Sequence, residues 1–246
     1  MKKFPILLLF LIASTITAYG ATYTLVSANY PINVNGQKIA VEPLNYNGVT
    51  YLPIRAISEA VGVPITWNNA TRSVEITTLD IEKLKESCVM IYADDGKTQT
   101  QGSGTYWDYG KILTAYHIVD EGRTNIKTSQ GVKLTVDESN PTLDASILNA
   151  PLDVKPVKIG DSDEVKVGDK VILITSPKGK ENTVTYGTVI ETKIDGLTRF
   201  AVWANLDNGS SGGSCFDTFG SLIGIIVSGE DKLHLVVPIN DIRKVL

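Results

Sequence analysis

The sequence Asn208-Gly209-Ser210-Ser211-Gly212-Gly213-Ser214-Cys215 is the stretch around which the rest of the chain is interpreted. A serine between small residues can lie on a sharp turn with its hydroxyl exposed. The backbone N–H groups of Gly209 and Ser211 can then converge as an oxyanion hole. For this octet alone, a flexible surface loop is an equally simple interpretation, and Ser210 and Ser214 compete with Ser211 for the role of nucleophile. Residues elsewhere in the chain must decide between these interpretations.

A histidine and an aspartate upstream of the octet suit the same chemistry. His117 follows an apolar, strand-like segment, and an imidazole can take a proton from a serine hydroxyl and return it to a leaving group. Asp144 directly precedes the apolar segment 145–148. A carboxylate at such a position needs a partner to offset the cost of its desolvation. The imidazole N–H of His117 would be that partner. Asp207 is the second candidate for the acid, ranked lower because it lies so close along the chain to Ser211.

The composition excludes several functional classes. The chain has 246 residues, is 43% hydrophobic and 20% charged, and carries a net charge of −4. These values suit a soluble globular protein of one large domain or two small ones. Acidic and basic residues are interspersed, which gives no sign of a nucleic-acid-binding surface. No apolar run reaches the roughly 18 residues of a membrane-spanning helix, so none is expected in the mature chain.

The N-terminus has the pattern of an export signal. Lys2 and Lys3 precede an apolar run over residues 4–13, and Ala18-Tyr19-Gly20 offers a small-x-small cleavage site. We predict a signal peptide over residues 1–20 and an extracytoplasmic mature protein, either secreted or associated with the cell surface or wall. The alternative, an uncleaved anchor, is disfavoured because the apolar run is too short to span a bilayer.

The remaining cysteines and histidine carry less information. Cys88 and Cys215 could form a disulfide outside the cell, or could be two buried small hydrophobic residues. The sequence leaves that question open. His234 has no catalytic context and is expected to be structural.

The pattern of residues 21–80 predicts a small α+β module. Alternating segments flank Asn35-Gly36 and Asn47-Gly48, which predicts two hairpins with tight turns. A helix is predicted from Pro53 to a stop at Gly62, and a further hairpin is predicted across residues 68–72. The polar segment that follows places a domain boundary near residue 80.

This module resembles the copper amine oxidase N-terminal-like domain of secreted bacterial proteins. The resemblance lies in residues 32–36, 51–62, Trp67 and 74–76. It implies a non-catalytic stalk that binds a cell-wall or surface partner. No histidine precedes His117, so a copper site in the module is not expected. Arg55 and Glu59, one helical turn apart, are expected to be a solvated surface ion pair.

The pattern of residues 81–246 predicts many short strands separated by turn residues. Such a pattern favours barrels or a sandwich over a parallel sheet. The order His117, Asp144, Ser211 is the chymotrypsin order. Around these residues the chain resembles trypsin-like serine proteases of the Deg/HtrA type. The matching segments are 102–104, 112–119, 143–148, 158–163, 167–171, 176–179, 183–189, 209–213, 222–227 and 236–240.

The resemblance implies a mainly β fold, a chymotrypsin-like double β-barrel protease domain over residues 81–246, preceded by the α+β stalk module. It implies catalytic His117, Asp144 and Ser211, an oxyanion hole from the N–H groups of Gly209 and Ser211, and no metal or cofactor. By position it places Asn205, Val227, Ser228 and Gly229 at the substrate pocket, which would accept an uncharged P1 side chain. The substrate would be a polypeptide.

The sequence departs from the family at three positions. Ser214 stands where proline is usual, Tyr116 replaces a small residue, and Ser210 replaces asparagine or aspartate. None of these changes removes a catalytic group.

The sequence ends at Leu246, so we expect no PDZ domain in this chain. A catalytically inert protease fold that binds surfaces through its stalk is the main alternative to a protease, and an esterase is a weaker one.

Overall fold

The computed structural model describes residues 23–34, 36–61, 63, 65–76, 78–120, 122–194 and 198–246. The predicted signal peptide, Asn35 and Gly62 lie outside the described residues. Within the described ranges, the helices are too short and too polar to cross a membrane. The chain divides into two compact units, Met1–Ala60 and Val61–Leu246, which are described separately below.

The first unit consists of short hairpins and a helix. Its elements are β1 (Val26–Ser27), β2 (Ile32–Val34), β3 (Gln37–Ile39), β4 (Leu44–Tyr46), β5 (Val49–Tyr51) and α1 (Ile54–Val61). Both predicted hairpins are confirmed, since β2 pairs with β3 and β4 pairs with β5, each antiparallel. The predicted helix is confirmed as α1, which starts directly after Pro53 because proline already has a helical φ and needs no N–H partner there.

The second unit is mainly β. Its first elements are β6 (Ile65–Asn68), β7 (Ser73–Ile76), α2 (Ile81–Lys85), β8 (Cys88–Asp94), β9 (Gln99–Asp108), β10 (Lys111–Thr114), α3 (Tyr116–Val119), β11 (Asn125–Thr128), β12 (Lys133–Asn140) and β13 (Ala145–Asn149). It continues with β14 (Lys158–Ile159), β15 (Lys170–Thr175), β16 (Thr183–Thr192), β17 (Phe200–Trp203), β18 (Ser214–Phe216), β19 (Ser221–Glu230), β20 (Leu233–Pro238) and α4 (Ile239–Val245). The predicted hairpin across residues 68–72 is confirmed as β6 and β7.

Two antiparallel barrels form the body of this unit. The first closes in the order β10-β13-β12-β11-β8-β9. The second runs β19-β18-β15-β16-β17-β20 and closes by the pairing of β19 with β20, while β14 joins β19 in parallel. Closure leaves no free sheet edge within either ring, which removes a site for unwanted strand pairing. The prediction of a mainly β protein with a double barrel is confirmed.

Alternating apolar side chains fill both barrels. Ile91, Ile112 and Leu148 have no exposed surface in the first, and neither do Leu173 and Val202 in the second. Burying one such side chain contributes roughly 1.5–3 kcal/mol, so each barrel supplies a rigid frame for the loops between its strands. Those loops carry the candidate site residues: His117 follows β10, Asp144 precedes β13 and Ser211 precedes β18.

Candidate active site

The structure brings His117 and Asp144 together. The His117 Nδ1–H donates to Asp144 Oδ2 at 2.8 Å, and the His117 backbone N–H donates to Asp144 Oδ1 at 2.9 Å. Both carboxylate oxygens are therefore used by one residue. Because Nδ1 carries the proton, Nε2 is left as the basic nitrogen of a neutral ring. The histidine side chain is 41% exposed, so a bound substrate could reach it.

The backbone of Asp144 contributes to the same arrangement. Its carbonyl accepts from the Tyr116 N–H at 3.2 Å, so Asp144 binds the two leading N–H groups of α3. Ala115, the residue before α3, offers no capping side chain, and the carboxylate takes that role from a distant loop. Asp144 has a φ of 60°, a conformation that is unfavourable for a non-glycine residue and often occurs at functional sites. The loop is thus shaped to present the carboxylate to His117.

The turn around Ser211 depends on two glycines with positive φ, Gly209 at 94° and Gly212 at 78°. A Cβ on Gly212 would overlap the Ser103 carbonyl oxygen and the Thr114 hydroxyl, and would lie 2.9 Å from the Ala115 nitrogen. The turn from the second barrel therefore packs directly on the segment of the first barrel that leads into α3. This contact brings Ser211 into the neighbourhood of His117.

Burial separates the three candidate serines. Ser210 is 4% exposed and its Oγ lies 3.2 Å from Thr175 Oγ1. Ser214 is fully buried, and its hydroxyl contacts Thr105 Oγ1 and, at 3.2 Å, the Cys88 sulfur. Ser211 is partly exposed. Of the three hydroxyls, only that of Ser211 is open to a substrate.

The structure does not join Ser211 to His117 by a hydrogen bond within the described residues. In chains without bound substrate such bonds are often long and shorten only in the complex. The N–H groups of Gly209 and Ser211 likewise donate to no group in the described part of the chain. Two free N–H groups on one tight turn are what an oxyanion would require.

Asp207, the alternative acid, is engaged elsewhere. Its carboxylate forms an ion pair with the Lys178 ammonium, and that hydrogen bond lowers the pKa of Asp207 together with a second one from the Asn208 N–H. The carboxylate next to the imidazole is that of Asp144. The geometry therefore favours Asp144 over Asp207 as the partner of His117.

The residues expected at the substrate pocket differ in exposure. Asn205, Ser228 and Gly229 are exposed, whereas the Val227 side chain is 3% exposed and packs in the core.

His234 lies on the strand facing Gly229, and a Cβ on Gly229 would overlap its ring. The imidazole thus fills the space that the absent side chain leaves. Burial lowers the pKa of His234, and the backbone of Ala204 and Asp231 only partly opposes that effect.

Both cysteines are free and buried. Burial raises the pKa of the Cys88 thiol to about 12, and burial also raises the pKa of Cys215. The disulfide that the sequence left open is absent, and both side chains act as small hydrophobic residues, since neither forms a thiolate near neutral pH.

Sequence reasoning missed the residues that support the turn from behind. Gln101 and Ser103 on β9 hydrogen-bond to the turn, as does the Lys178 N–H in the loop of residues 176–179. Gln101 also hydrogen-bonds to that loop. Their residue types carry no signal of this role, because it arises only when β9 and the loop after β15 meet. The sole hint was Gly102-Ser103-Gly104, two glycines that allow close packing around a serine.

Comparison with protein families gives two matches. A trypsin-like peptidase domain matches residues 102–225, and a copper amine oxidase N-terminal domain matches residues 33–129. The two overlap, since the second runs through β11 of the first barrel. Both resemblances seen in the sequence are confirmed.

Two curated relatives illustrate the similarity, and one of them is named as a serine protease. An anti-sigma-I factor of Acetivibrio thermocellus is 30% identical over 186 residues, covering 71% of this chain and 26% of the relative. A serine protease HtrA-like protein of Staphylococcus aureus is 25% identical over 212 residues, covering 73% of this chain and 27% of the relative. The chain thus spans about a quarter of the length of these curated relatives.

A solved structure shares the fold. The active form of a protease from M. tuberculosis superposes with a TM-score of 0.61 at 20% identity, covering 67% of this chain and 81% of that one.

Proposed function

This chain belongs to the trypsin-like peptidase family, and from that membership we propose that it is a serine endopeptidase acting outside the cytoplasm. The observation that carries the proposal is the hydrogen-bonded His117–Asp144 pair, and it is supported by the tight turn on which Ser211 is partly exposed. The substrate class is polypeptide, and the mechanism uses no group beyond those of the chain itself.

In the proposed mechanism Ser211 Oγ attacks the peptide carbonyl while His117 Nε2 takes its proton. Asp144 holds the Nδ1–H tautomer and stabilises the imidazolium that forms. The Gly209 and Ser211 N–H groups bind the oxyanion of the tetrahedral intermediate. His117 then gives the proton to the leaving amine, and water hydrolyses the acyl-enzyme by the reverse sequence.

Labelling with a fluorophosphonate tests the proposal, because that probe reacts only with an activated serine. The native chain should be labelled, while Ser211→Ala should not. Ser210→Ala is the matched control, since Ser210 is the adjacent serine but is buried, and it should keep its labelling. If the native chain remains unlabelled over a range of pH and temperature, the proposed activity is wrong.

Export is supported by the pattern of residues 1–20 and by the likeness to an HtrA-like protease. We expect the mature protein to begin at Ala21 and to be found in the medium or on the cell surface. Mass spectrometry of the mature N-terminus checks this, and a retained Met1 would contradict it. The module of residues 21–80 would then bind a wall or surface partner.

A second candidate function is a catalytically inert binding protein that acts through residues 21–80. One observation favours it: a relative that covers 71% of this chain is named as an anti-sigma factor. The same labelling experiment distinguishes the two, because an inert fold would leave the native chain as unreactive as Ser211→Ala.

A further inference from the structure

The two successive peptide groups that flank the Cα of Gly209 are each held through their carbonyl oxygen. The Asn208 carbonyl accepts from the Lys178 N–H at 2.7 Å. The next carbonyl, that of Gly209, accepts from Ser103 Oγ at 2.8 Å and from Gln101 Nε2 at 3.4 Å. In a planar trans peptide the C=O and N–H point in opposite directions, so anchoring the Asn208 carbonyl also fixes the direction of the Gly209 N–H.

The anchor for Asn208 lies on a short loop, residues 176–179, which we term the clasp loop. Within it Lys178 has a φ of 51° and Gly179 a φ of 74°. The positive φ of Lys178 is unfavourable for a non-glycine residue unless neighbouring contacts hold it, whereas that of Gly179 carries no such penalty. In this conformation of the loop, the Lys178 N–H donates to the Asn208 carbonyl.

Gln101 supplies those holding contacts. Its Nε2 donates to the Ser176 carbonyl at 2.8 Å, and its Oε1 accepts from the Gly179 N–H at 3.2 Å. One carboxamide thus ties the first and last residues of the clasp loop. It also lies close to Gly209, where an added Cβ would overlap it. Gln101 therefore contacts the clasp loop and the Ser211 turn at the same time.

We propose that Gln101 is a positioning residue, which holds the clasp loop against the turn and so keeps the Gly209 N–H directed at the oxyanion. This inference rests on the proposed protease activity. Gln101 does not touch the reacting atoms. Without it, the clasp loop relaxes, the Asn208–Gly209 peptide can rotate, and one of the two oxyanion donors is lost for part of the time.

The expected loss in kcat follows from the contribution that one oxyanion-hole donor makes to catalysis. Removing one oxyanion-hole donor lowers kcat by roughly 100- to 1000-fold. Ser103 still holds the Gly209 carbonyl when Gln101 is changed, so we expect a partial loss of about 10- to 100-fold. Substrate binding in the ground state does not need the oxyanion donors, so KM should change little.

The test compares Gln101→Met, which keeps the length of the side chain but has no amide, with Gln99→Met, an exposed glutamine two residues earlier on β9. Gln101→Glu keeps the acceptor for Gly179 but cannot donate to Ser176. Each full-length protein is assayed for fluorophosphonate labelling, for kcat and KM on quenched fluorescent casein, and for inhibition by acetyl-trialanine aldehyde, whose adduct places an oxygen in the oxyanion hole. Urea denaturation reports whether each variant folds.

The inference predicts that both Gln101 variants lose kcat, keep KM, and bind the aldehyde more weakly by the same factor as the loss in kcat. Gln99→Met should match the native chain in all three. A folded Gln101→Met with native kcat and native aldehyde affinity overturns the inference alone, as does an effect on KM or on unfolding only. A native chain that is not labelled at all overturns the proposed activity, and this inference with it.

Discussion

At the scale of single residues, the candidate site depends most on Asp144, which makes three contacts. Asp144 binds the imidazole, the His117 N–H and, through its carbonyl, the Tyr116 N–H. Its side chain is only 22% exposed, so water competes weakly for it. The orientation of His117 therefore follows from Asp144 and not from packing around the exposed ring.

We expect Asp144→Asn to reduce kcat by roughly 10⁴-fold, because an amide that donates to Nδ1 would leave Nε2 protonated and unable to act as base. Casein hydrolysis measured against the native chain tests this. Asp207→Asn is the control, since Asp207 pairs with Lys178 at the surface, and its kcat should fall far less. The reverse order of effects would move the acid role to Asp207.

His234 should make folding stability depend on pH. Burial lowers its pKa in the folded state, so below its ordinary value near 6.5 the unfolded chain takes up the proton more readily. The stability associated with neutral His234 is present above that value and is lost as the pH falls through the lower, folded-state pKa. Free energies of unfolding in urea, measured between about pH 7.5 and 5.5, should decline less for His234→Gln than for the native chain. Parallel curves would contradict this.

At the scale of elements, the turn that carries Ser211 is fixed by where it packs. We expect Gly212→Ala to destabilise the protein by more than about 2 kcal/mol, since it adds strain from a positive φ to an overlap with backbone atoms of Ser103 and Ala115. Gly131→Ala measures the strain from a positive φ alone, because Gly131 also has a positive φ but nothing lies near its missing Cβ. Urea denaturation of both variants measures the difference, and equal losses would mean that the turn can shift away from the first barrel.

The elements that the sequence predicts well are those with local causes. Asn47-Gly48 gives a hairpin and Pro53 starts a helix because a few neighbouring residues determine those conformations. The pair His117 and Asp144 was also predictable, since each stands at the end of an apolar segment in a recognisable order. The length of β12 was harder to predict. The strand extends to Asn140, beyond its apolar residues Leu134 and Val136, because its polar half is held by pairing with β13.

The support behind the candidate site could not be predicted in the same way. Gln101 and Lys178 are ordinary polar residues in the sequence. The contacts that give Gln101 its importance join it to Ser176 and Gly209, which are 75 and 108 positions away. Such contacts depend on how the two barrels meet. The free state of Cys88 and Cys215 depends on the same packing, which places each thiol in its own buried environment.

At the scale of the whole molecule, residues 79–87 belong with the barrels. Leu79, Ile81 and Leu84 pack against the core that includes the first barrel. The Asn182 side chain donates to the Lys85 carbonyl at 3.1 Å, and the Ser87 hydroxyl donates to the Lys155 carbonyl at 3.0 Å. Residues 23–60, in contrast, contain only Pro43 and Ser58 as buried positions among those described. From these contacts we propose that the peptidase domain begins before α2, near residue 80.

Two truncated chains test where the domain begins. A chain starting at Thr78 keeps α2 and all the contacts that residues 79–87 make with the barrels, so we expect it to fold and to be labelled by fluorophosphonate as fast as the mature chain. A chain starting at Cys88 loses three partly buried apolar side chains, each of which stabilises the fold by about 1 kcal/mol. Its free energy of unfolding should therefore be lower by roughly 3 kcal/mol. Labelling at rising urea concentration separates the two, because only the shorter chain should lose reactivity early. Equal stability would mean that α2 is a linker, whereas failure of the longer chain to fold would extend the domain into residues 61–77.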